Sequence, residues 1–327
     1  MDVIEIRGLR KTYRRFRGGS TVALDGLDLT VGQGGVFGLL GPNGSGKTTT
    51  IRCLLGLAHA SGGSCTVLGK EPTRGLQDVI HRIGALVEAP AMFPNFSGRR
   101  NLEILAAVGR LPKERIDEVL EQVDLSARAK DRVKTYSLGM RQRLGLAAAL
   151  LRDPELLILD EPANGLDPAG IREVRELLRR LAAEGRTVLV SSHILSEIQQ
   201  TCDRVVILQR GRCITQGDVD DVLSRGRKSG LLMRIVEPAR AIDTLQANGV
   251  SAVEVDGLLE IDYPSDKGRE VVQMLASAGL YPDELRPHQV DLETVFLQLT
   301  GEGADVAAAS ADQNPPDQDP GTPGEPS

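Results

Sequence analysis

A glycine-rich run between an apolar stretch and a helical pattern constrains this chain more than any other feature. Residues 36–40 are apolar, residues 47–57 carry a helical pattern, and between them stands Gly41-Pro42-Asn43-Gly44-Ser45-Gly46-Lys47-Thr48-Thr49. Glycines in this order let successive backbone N–H groups curl around a phosphate at the positive end of a helix. Lys47 would then reach the β- and γ-oxygens, and the Thr48 hydroxyl would ligate Mg²⁺. The run predicts a loop that binds the phosphates of a nucleotide, against the alternative of an ordinary glycine-rich turn.

Paired acids close a second apolar stretch. Residues 156–159 are predicted as a buried strand, and Asp160 and Glu161 follow it directly. In a parallel sheet this strand end lies beside the phosphate loop. Asp160 would hold Mg²⁺ through water, and Glu161 would polarise an attacking water molecule. The alternative is a pair of solvated acids at a strand end.

Short β-branched runs alternate with longer helical patterns as far as about residue 225. Such alternation is typical of a mostly parallel sheet covered by helices, an α/β fold. The predicted strands are residues 36–40, 84–87, 156–159, 187–190 and 205–208. The predicted helices are residues 47–57, 101–110, 113–122, 138–151 and 171–183. Residues 3–7 and 22–31 predict antiparallel strands laid against that core.

A second, smaller unit follows a polar connection. Residues 226–230 are predicted as a linker, and residues 231–301 as a small α+β domain. Its strands are predicted at residues 231–236, 251–255, 259–263 and 281–286, and its helices at residues 239–247, 266–278 and 292–299. That order is compatible with a split βαβ sandwich. Residues 302–327, with five prolines and six acids, are predicted to be disordered.

Composition excludes several classes of protein. The six acids of residues 302–327 account for the whole net charge of −6, so the remainder is neutral and a broad nucleic-acid-binding face is disfavoured. The four cysteines lie far apart without a C-x-x-C pair, as reduced thiols of a cytosolic protein do. The acidic N-terminus does not fit a signal peptide, and the longest apolar run, residues 144–151, is far below the roughly 20 residues of a spanning helix.

A third motif connects these features to a known family. Tyr136-Ser137-Leu138-Gly139-Met140 lies with Ser137 90 residues after Lys47 and 23 before Asp160. In this order the motifs resemble those of the ATP-binding subunits of ATP-binding-cassette (ABC) transporters, over about residues 1–225. The five residues resemble the family's signature, Leu-Ser-Gly-Gly-Gln, although Leu138 and Met140 replace a glycine and the glutamine. The resemblance implies that Ser137 and Gly139 contact a phosphate held by the opposite subunit, at the positive end of a helix.

Three further positions match the family. Asp167, in the run 164–168, resembles the dimer-contact loop; an ordinary turn is the alternative. His193 resembles the switch histidine that senses the γ-phosphate, whereas a lone histidine here would be structural. Tyr13 stands where the family stacks adenine, with packing on an N-terminal strand as the alternative.

Glu88 is a departure from the family pattern. The family usually has glutamine at this strand end, where it touches Mg²⁺ and faces the membrane subunit; Glu88 keeps an oxygen ligand and adds a charge. A solvated turn acid is the alternative. This loop, the residues 94–98 that follow and the signature are most similar to drug-export ATPases of the bacitracin and daunorubicin type. Residues 291–301 resemble the closing helix of that group, although periodicity alone predicts an amphipathic packing helix.

The resemblance implies an ATP-hydrolysing motor of a membrane exporter. Its expected fold is a P-loop ABC ATPase core at residues 1–225, with a helical subdomain at about 90–152. It would bind ATP and Mg²⁺ and work as a head-to-tail pair, expected to be a homodimer, with a separate transmembrane permease at the cytoplasmic face of the membrane. No nucleic acid is expected. The alternatives are a soluble ABC-superfamily ATPase acting on ribosomes or DNA, and an unrelated nucleotide kinase or GTPase. Cargo is not readable from the sequence, because membrane helices outside this chain would contact it.

Overall fold

A computed structural model describes residues 2–14, 18–87, 92–224, 230–255, 257–288 and 292–300. Glu88, most of the predicted linker and the predicted tail lie outside the described residues. The strands are β1 (Asp2–Arg14), β2 (Ser20–Gly32), β3 (Gly35–Leu40), β4 (Gly62–Val67), β5 (Ile83–Leu86), β6 (Leu156–Asp160), β7 (Thr187–Ser192), β8 (Arg204–Gln209), β9 (Arg212–Asp218), β10 (Gly230–Arg234), β11 (Ser251–Val255), β12 (Leu258–Asp262) and β13 (Glu284–His288). The helices are α1 (Lys47–Leu54), α2 (Gly98–Gly109), α3 (Glu114–Gln122), α4 (Leu138–Leu150), α5 (Pro168–Ala183), α6 (Leu195–Thr201), α7 (Val219–Ser224), α8 (Pro238–Ala247), α9 (Gly268–Ser277) and α10 (Leu292–Thr300).

The large sheet has six strands in the order β5-β6-β7-β3-β8-β9, all parallel except β9. Its inner strands β6, β7, β3 and β8 are largely apolar runs because both of their faces are covered. Along β6, Leu157 and Leu159 join the apolar cluster on one face, whereas Leu156 and Ile158 join the cluster on the other. This arrangement confirms the predicted α/β core. The parallel pairing of β6 with β7 and of β7 with β3 places the carboxyl ends of the three strands side by side.

A three-stranded antiparallel sheet, ordered β2-β1-β4, lies against the second of these clusters. The pairing of β1 with β2 confirms the predicted antiparallel N-terminal strands, and Tyr13 stands opposite Thr21 near the end of this ladder. Ala23 and Leu24 of β2 approach Gly46, so this sheet contacts the glycine-rich loop. The N-terminal strands therefore contact the predicted nucleotide site.

The described helices α2, α3 and α4 occupy the segment predicted as a helical subdomain. Their buried side chains include Leu102, Ile116 and Leu144, which join the same large core as the main sheet. Tyr136 anchors the turn before α4, because its hydroxyl donates to the Arg128 carbonyl at 2.8 Å. The bounds of the subdomain remain a prediction.

A four-stranded antiparallel sheet, ordered β11-β12-β10-β13, forms the smaller unit with α8 and α9. This strand order is that of a split βαβ sandwich and confirms the predicted small α+β fold. Leu231, Leu245, Ile261 and Leu275 are among its buried side chains, and they form a cluster separate from the large core.

Helix α10 follows this small sheet in the chain but packs elsewhere. Leu292, Val295 and Phe296 are buried in the large core, and the Leu292 N–H donates to Gln199 Oε1 on α6 at 3.2 Å. Their spacing of three and four residues confirms the amphipathic packing helix that periodicity predicts. The segment predicted as one unit, 231–301, is therefore tied at its end to the larger core.

Four elements were not predicted: β4, β9, α6 and α7. β9 is an edge strand whose side chains alternate between exposed and half-buried, so it lacks the apolar run that marks a buried strand. Both α6 and α7 are shorter than two full turns, too short to show a periodic pattern. No helix in the described part of the chain combines the length and apolar content needed to cross a membrane.

Candidate nucleotide-hydrolysis site

The loop at residues 41–46 joins β3 to α1 and depends on two glycines. A Cβ on Gly41 would collide with the Leu208 carbonyl and the Ser45 side chain. Gly46 has φ +112°, and a Cβ there would lie 2.8 Å from a methyl group of Leu24. Only glycine therefore fits at these two positions. The loop therefore packs between Leu208 of β8 and Leu24 of β2, and it leads directly into α1.

Lys47 is the first residue of α1 and is only 5% exposed. Its Nζ donates to the Gly41 carbonyl at 2.7 Å and lies 3.3 Å from Glu161 Oε1. A buried ammonium needs such partners. The hydroxyl of Ser45, also buried, has no hydrogen-bond partner among the described residues. The loop thus presents a cation and an unused polar group where the sequence predicts phosphate.

The paired acids stand at the end of β6, two strands away from the loop. Ser191 on β7 links them: its hydroxyl donates to Asp160 Oδ1 and accepts from the Glu161 N–H at 2.9 Å. Asp160 is 9% exposed. Glu161 has φ +47°, a left-handed conformation that is costly for a non-glycine residue. This backbone turns the Glu161 carboxylate toward Lys47.

Glu161 also meets the predicted switch histidine. Nδ1 of His193 lies 2.9 Å from Glu161 Oε2, while Glu161 Oε1 faces Lys47. An ionised carboxylate can only accept hydrogen bonds, so Nδ1 carries the proton in this contact. Lys47, Glu161 and His193, each from the segment that follows a different strand, thus form one chain of polar contacts at the edge of the sheet where the sequence places them.

The signature residues lie apart from that chain. Ser137 is exposed and caps α4, its Oγ accepting from the Met140 N–H at 3.2 Å. Among the described residues no hydrogen bond joins Ser137 to residues 41–49. Gly139 lies in the first turn of α4, and a Cβ there would be 3.6 Å from Leu166. The N-terminus of α4 therefore faces solvent within a single chain.

Asp167 and Tyr13 occupy positions with local partners. Asp167 caps α5, its Oδ1 accepting from the Gly170 N–H at 3.0 Å. Tyr13 is 37% exposed, and Lys11 Nζ lies 4.8 Å from its ring centroid. A half-exposed ring beside a cation can serve as a stacking surface. The predicted roles of both residues in nucleotide contact or dimer contact remain predictions.

Sequence reasoning did not single out Ser191 as a site residue. It follows the apolar part of β7, and only the pairing of Asp160 with Ser191 across the sheet shows that the hydroxyl holds the acids. The signal available in the sequence is a polar residue at the carboxyl end of a predicted strand, next to the candidate His193.

The four cysteines lie outside this site as free thiols. Burial, with smaller contributions from Cys53 and Glu71, raises the pKa of Cys65 to about 11. Burial likewise raises the pKa of Cys53, Cys202 and Cys213. Thiols with raised pKa values are weak nucleophiles at neutral pH, which agrees with the predicted reduced cysteines.

Lys47 and Glu161 meet because β7 alone separates β3 from β6, so that the glycine loop and the acids share one edge of a parallel sheet. The described groups contain no cluster of three histidine, cysteine or acidic side chains that could hold a metal by themselves. A buried lysine over a glycine loop, beside a strand ending in Asp-Glu, defines the class of P-loop nucleoside triphosphatases.

Comparisons with known proteins narrow this class. A family model described as ABC transporter matches residues 24–164. The chain is 42% identical over 302 residues to the ABC transporter ATP-binding protein YhcH of Bacillus subtilis (strain 168), covering 92% of this chain and 96% of that protein. It is 39% identical over 306 residues to the bacitracin transport ATP-binding protein BcrA of Bacillus licheniformis, with coverage of 92% and 98%.

Two more comparisons agree. The daunorubicin resistance ATP-binding protein DrrA3 of Streptomyces coeruleorubidus is 37% identical over 317 residues, with coverage of 94% of this chain and 98% of that protein. A solved ATP-binding subunit of an ABC transporter is 28% identical, with a TM-score of 0.60, and covers 68% of this chain and 92% of that one. The chain belongs to the ATP-binding proteins of ABC transporters and is an ATPase, which confirms the predicted resemblance.

Proposed function

We propose that this chain is the motor subunit of a membrane exporter and drives a separate transmembrane permease by hydrolysing ATP. The similar proteins BcrA and DrrA3 are named for bacitracin transport and daunorubicin resistance, and both match almost along their whole length. The match includes the small sheet and α10, which a bare ATPase core would lack. This supports an export function at the cytoplasmic face of the membrane, with a drug, antibiotic, peptide or lipid as the class of cargo.

The single observation that carries the dimer proposal is the separation of the two halves of the site. Lys47, Glu161 and His193 lie in contact, whereas Ser137 is exposed at the positive end of the 13-residue helix α4. A helix N-terminus attracts anions. We infer that a second copy presents its Ser137 and Gly139 to the γ-phosphate held by the first, and that Asp167 contributes to the same interface. The pair would then be a head-to-tail homodimer.

The residues present fit ATP with Mg²⁺. The hydroxyl of Thr48 and the carboxylate of Asp160 are the oxygen donors that Mg²⁺ prefers, and Asp160 Oδ2 is not used by Ser191. When bound, Mg²⁺ would neutralise part of the negative charge of the phosphates. Glu88, outside the described residues, stays a proposed third ligand and a link to the permease. The loop residues 41–49 would hold the phosphates, and Tyr13 would stack on adenine.

Glu161 and His193 have defined roles in this proposal. Glu161 would orient and polarise the attacking water, and its pairing with Lys47 must loosen when phosphate takes the ammonium. His193 would hold the γ-phosphate in line with that water through its hydrogen bond to Glu161. Because Lys47 is buried, its ammonium would lie close to the leaving oxygens. The low local dielectric there would strengthen the attraction between the ammonium and the negative charge on those oxygens.

Trapping the closed pair tests this proposal. Glu161→Gln keeps the shape of the side chain and removes the carboxylate, so we expect Mg·ATP to bind without turnover and a dimer to accumulate. Light scattering coupled to gel filtration, with and without Mg·ATP, measures the dimer. The control is Glu184→Gln, an exposed acid just after α5. A Glu161→Gln variant that binds ATP yet stays monomeric would contradict the shared site.

The rival function is a soluble ATPase of the same superfamily that acts on ribosomes or DNA. Co-expression with the product of the neighbouring reading frame, which the exporter proposal expects to be a protein with about six spanning helices, separates the two. The exporter proposal expects co-purification from membranes and stimulated ATP hydrolysis. Stimulation by ribosomes or DNA instead, with no membrane partner, would favour the rival.

A further inference from the structure

A small cavity lies behind the hydrolysis site, between α5 and α6. Its volume is about 30 Å³, and its walls include Glu161 and His193 together with Arg175 of α5 and Glu197 of α6. A water molecule needs roughly 10–15 Å³ of such space. The cavity therefore has room for about two water molecules directly against the two residues that the proposed hydrolysis depends on.

Glu197 holds the turn that carries His193. Its Oε2 accepts from the Ser192 hydroxyl at 3.0 Å, and the Ser192 hydroxyl accepts from the Ile194 N–H at 3.0 Å. Ser192 and Ile194 flank His193 on either side. One carboxylate thus fixes the backbone immediately before and after the histidine whose Nδ1 meets Glu161.

The second carboxylate oxygen of Glu197, Oε1, has no such hydrogen bond within the part of the chain that the structure describes. Glu197 Oε1 and Arg175 Nε are both buried and have no hydrogen-bond partner among the described residues, and both residues belong to the lining of this cavity. One is an acceptor and the other a donor, and water can serve both at once. Buried polar groups are almost always hydrogen-bonded, so the pair calls for a bridging molecule of this size.

We propose that Glu197 and Arg175, joined by water in this cavity, are positioning residues that hold His193 against Glu161. Through them α5, which is capped by the proposed dimer-contact residue Asp167, is connected to α6, which begins two residues after His193. The proposal rests on the roles proposed for Glu161 and His193. It adds to them a set of contacts that would hold His193 in its orientation toward Glu161, although the side chain is 35% exposed.

The test measures the NMR signals of the His193 imidazole. The full chain has four histidines, so the imidazole ¹⁵N signals of His193 are identified by their loss in His193→Gln. In the nucleotide-free chain we expect Glu197→Ala to move the His193 Nδ1 signal, and Glu197→Gln to move it less, because the amide oxygen still accepts from Ser192. Glu176→Ala, an exposed acid on α5, is the matched control and should leave the signal in place.

Activity provides the second readout. With the permease present, we expect Glu197→Ala to lower kcat about tenfold with KM changed less than twofold, as for loss of a positioning contact. Ser192→Ala should have a similar effect. Combining it with Glu197→Ala should lower kcat little further, because both variants remove the same hydrogen bond between Ser192 and Glu197. Arg175→Met should move the His193 signal as well, whereas Arg172→Met, at an exposed position, should not.

Unmoved His193 signals in Glu197→Ala and Ser192→Ala would overturn the proposal, whatever the activity. Should Glu197→Ala fail to fold, Ser192→Ala alone decides, because it removes only a hydroxyl and with it the contact to Glu197. If the wild-type chain hydrolyses no ATP, the proposed function fails, but the ¹⁵N signals still test the positioning of His193.

Discussion

The large six-stranded sheet and the small four-stranded sheet differ in where the carboxyl ends of their strands lie. In the large sheet, β3, β6 and β7 run in one direction, so the segments that follow them converge at a single edge and bring together Lys47, Glu161 and His193. In the small sheet every pair of neighbouring strands is antiparallel, so the carboxyl ends of its strands divide between two edges. The comparison shows why the polar chemistry is concentrated in the first region: repeated strand direction collects side chains from distant parts of the sequence.

The two regions also differ in what they bury. The small sheet encloses an apolar cluster, with Met233 and Ile261 among its members. The large core buries apolar side chains too, yet it also encloses Lys47, Asp160 and Ser191. Buried polar groups are almost always hydrogen-bonded; here Ser191 donates to Asp160, and Lys47 donates to the Gly41 carbonyl. We therefore expect mutations in the two regions to separate activity from stability.

The largest expected effect is loss of the ammonium over the loop. Lys47→Ala removes the main positive charge from the phosphates, so we expect ATP hydrolysis to fall by about 100-fold or more while the fold persists. Phosphate release measures this. Lys70→Ala, at an exposed lysine paired with Asp78, is the control and should retain activity. Near wild-type turnover in Lys47→Ala would disprove the assignment of the loop.

An intermediate effect distinguishes the cores. Leu245→Ala in α8 leaves a cavity in the small sheet's cluster and should cost about 2–5 kcal/mol of unfolding free energy, with nucleotide affinity within twofold of wild type. Leu159→Ala, directly before Asp160, should cost a similar amount and also weaken nucleotide binding. Urea unfolding and binding of a fluorescent ATP analogue measure the two quantities.

Equal losses of nucleotide affinity in Leu245→Ala and Leu159→Ala would contradict the expected difference between the two regions. That result would mean that the small sheet transmits its packing to the hydrolysis site, for which α10 on α6 provides a physical route. Wild-type affinity in both variants would instead show that the strand end tolerates a cavity beneath it.

The smallest effect is expected for the acidic C-terminal residues. Their composition predicts that they bury nothing, so deleting residues 304–327 should shift the melting temperature by less than about 2 °C. Calorimetry of the truncated and full chains measures the shift. A larger loss of stability would show that these residues pack against one of the two regions.

Much of this architecture could be predicted from local patterns. The apolar runs of β3, β6 and β7 and the glycine run between β3 and α1 are each readable within ten residues, because strand burial and phosphate-loop geometry are local demands. The edge strand β9 was missed because its polar alternation resembles a loop. The packing of α10 shows the limit more clearly: its apolar spacing predicts a helix with one buried face, but not which core covers it.

The sequence by itself determined the residue types of the site, Lys47, Asp160, Glu161 and His193, and their order along strand ends. Only the tertiary structure decided their contacts. Lys47 and Glu161 are more than one hundred residues apart in the chain and meet at 3.3 Å because β7 places their strands in one sheet. The supporting residues Ser191, Glu197 and Arg175 likewise gain meaning only from neighbours across β7, α5 and α6. Hydrogen bonds act over a few ångströms, so partners from distant segments are known only once the chain is packed.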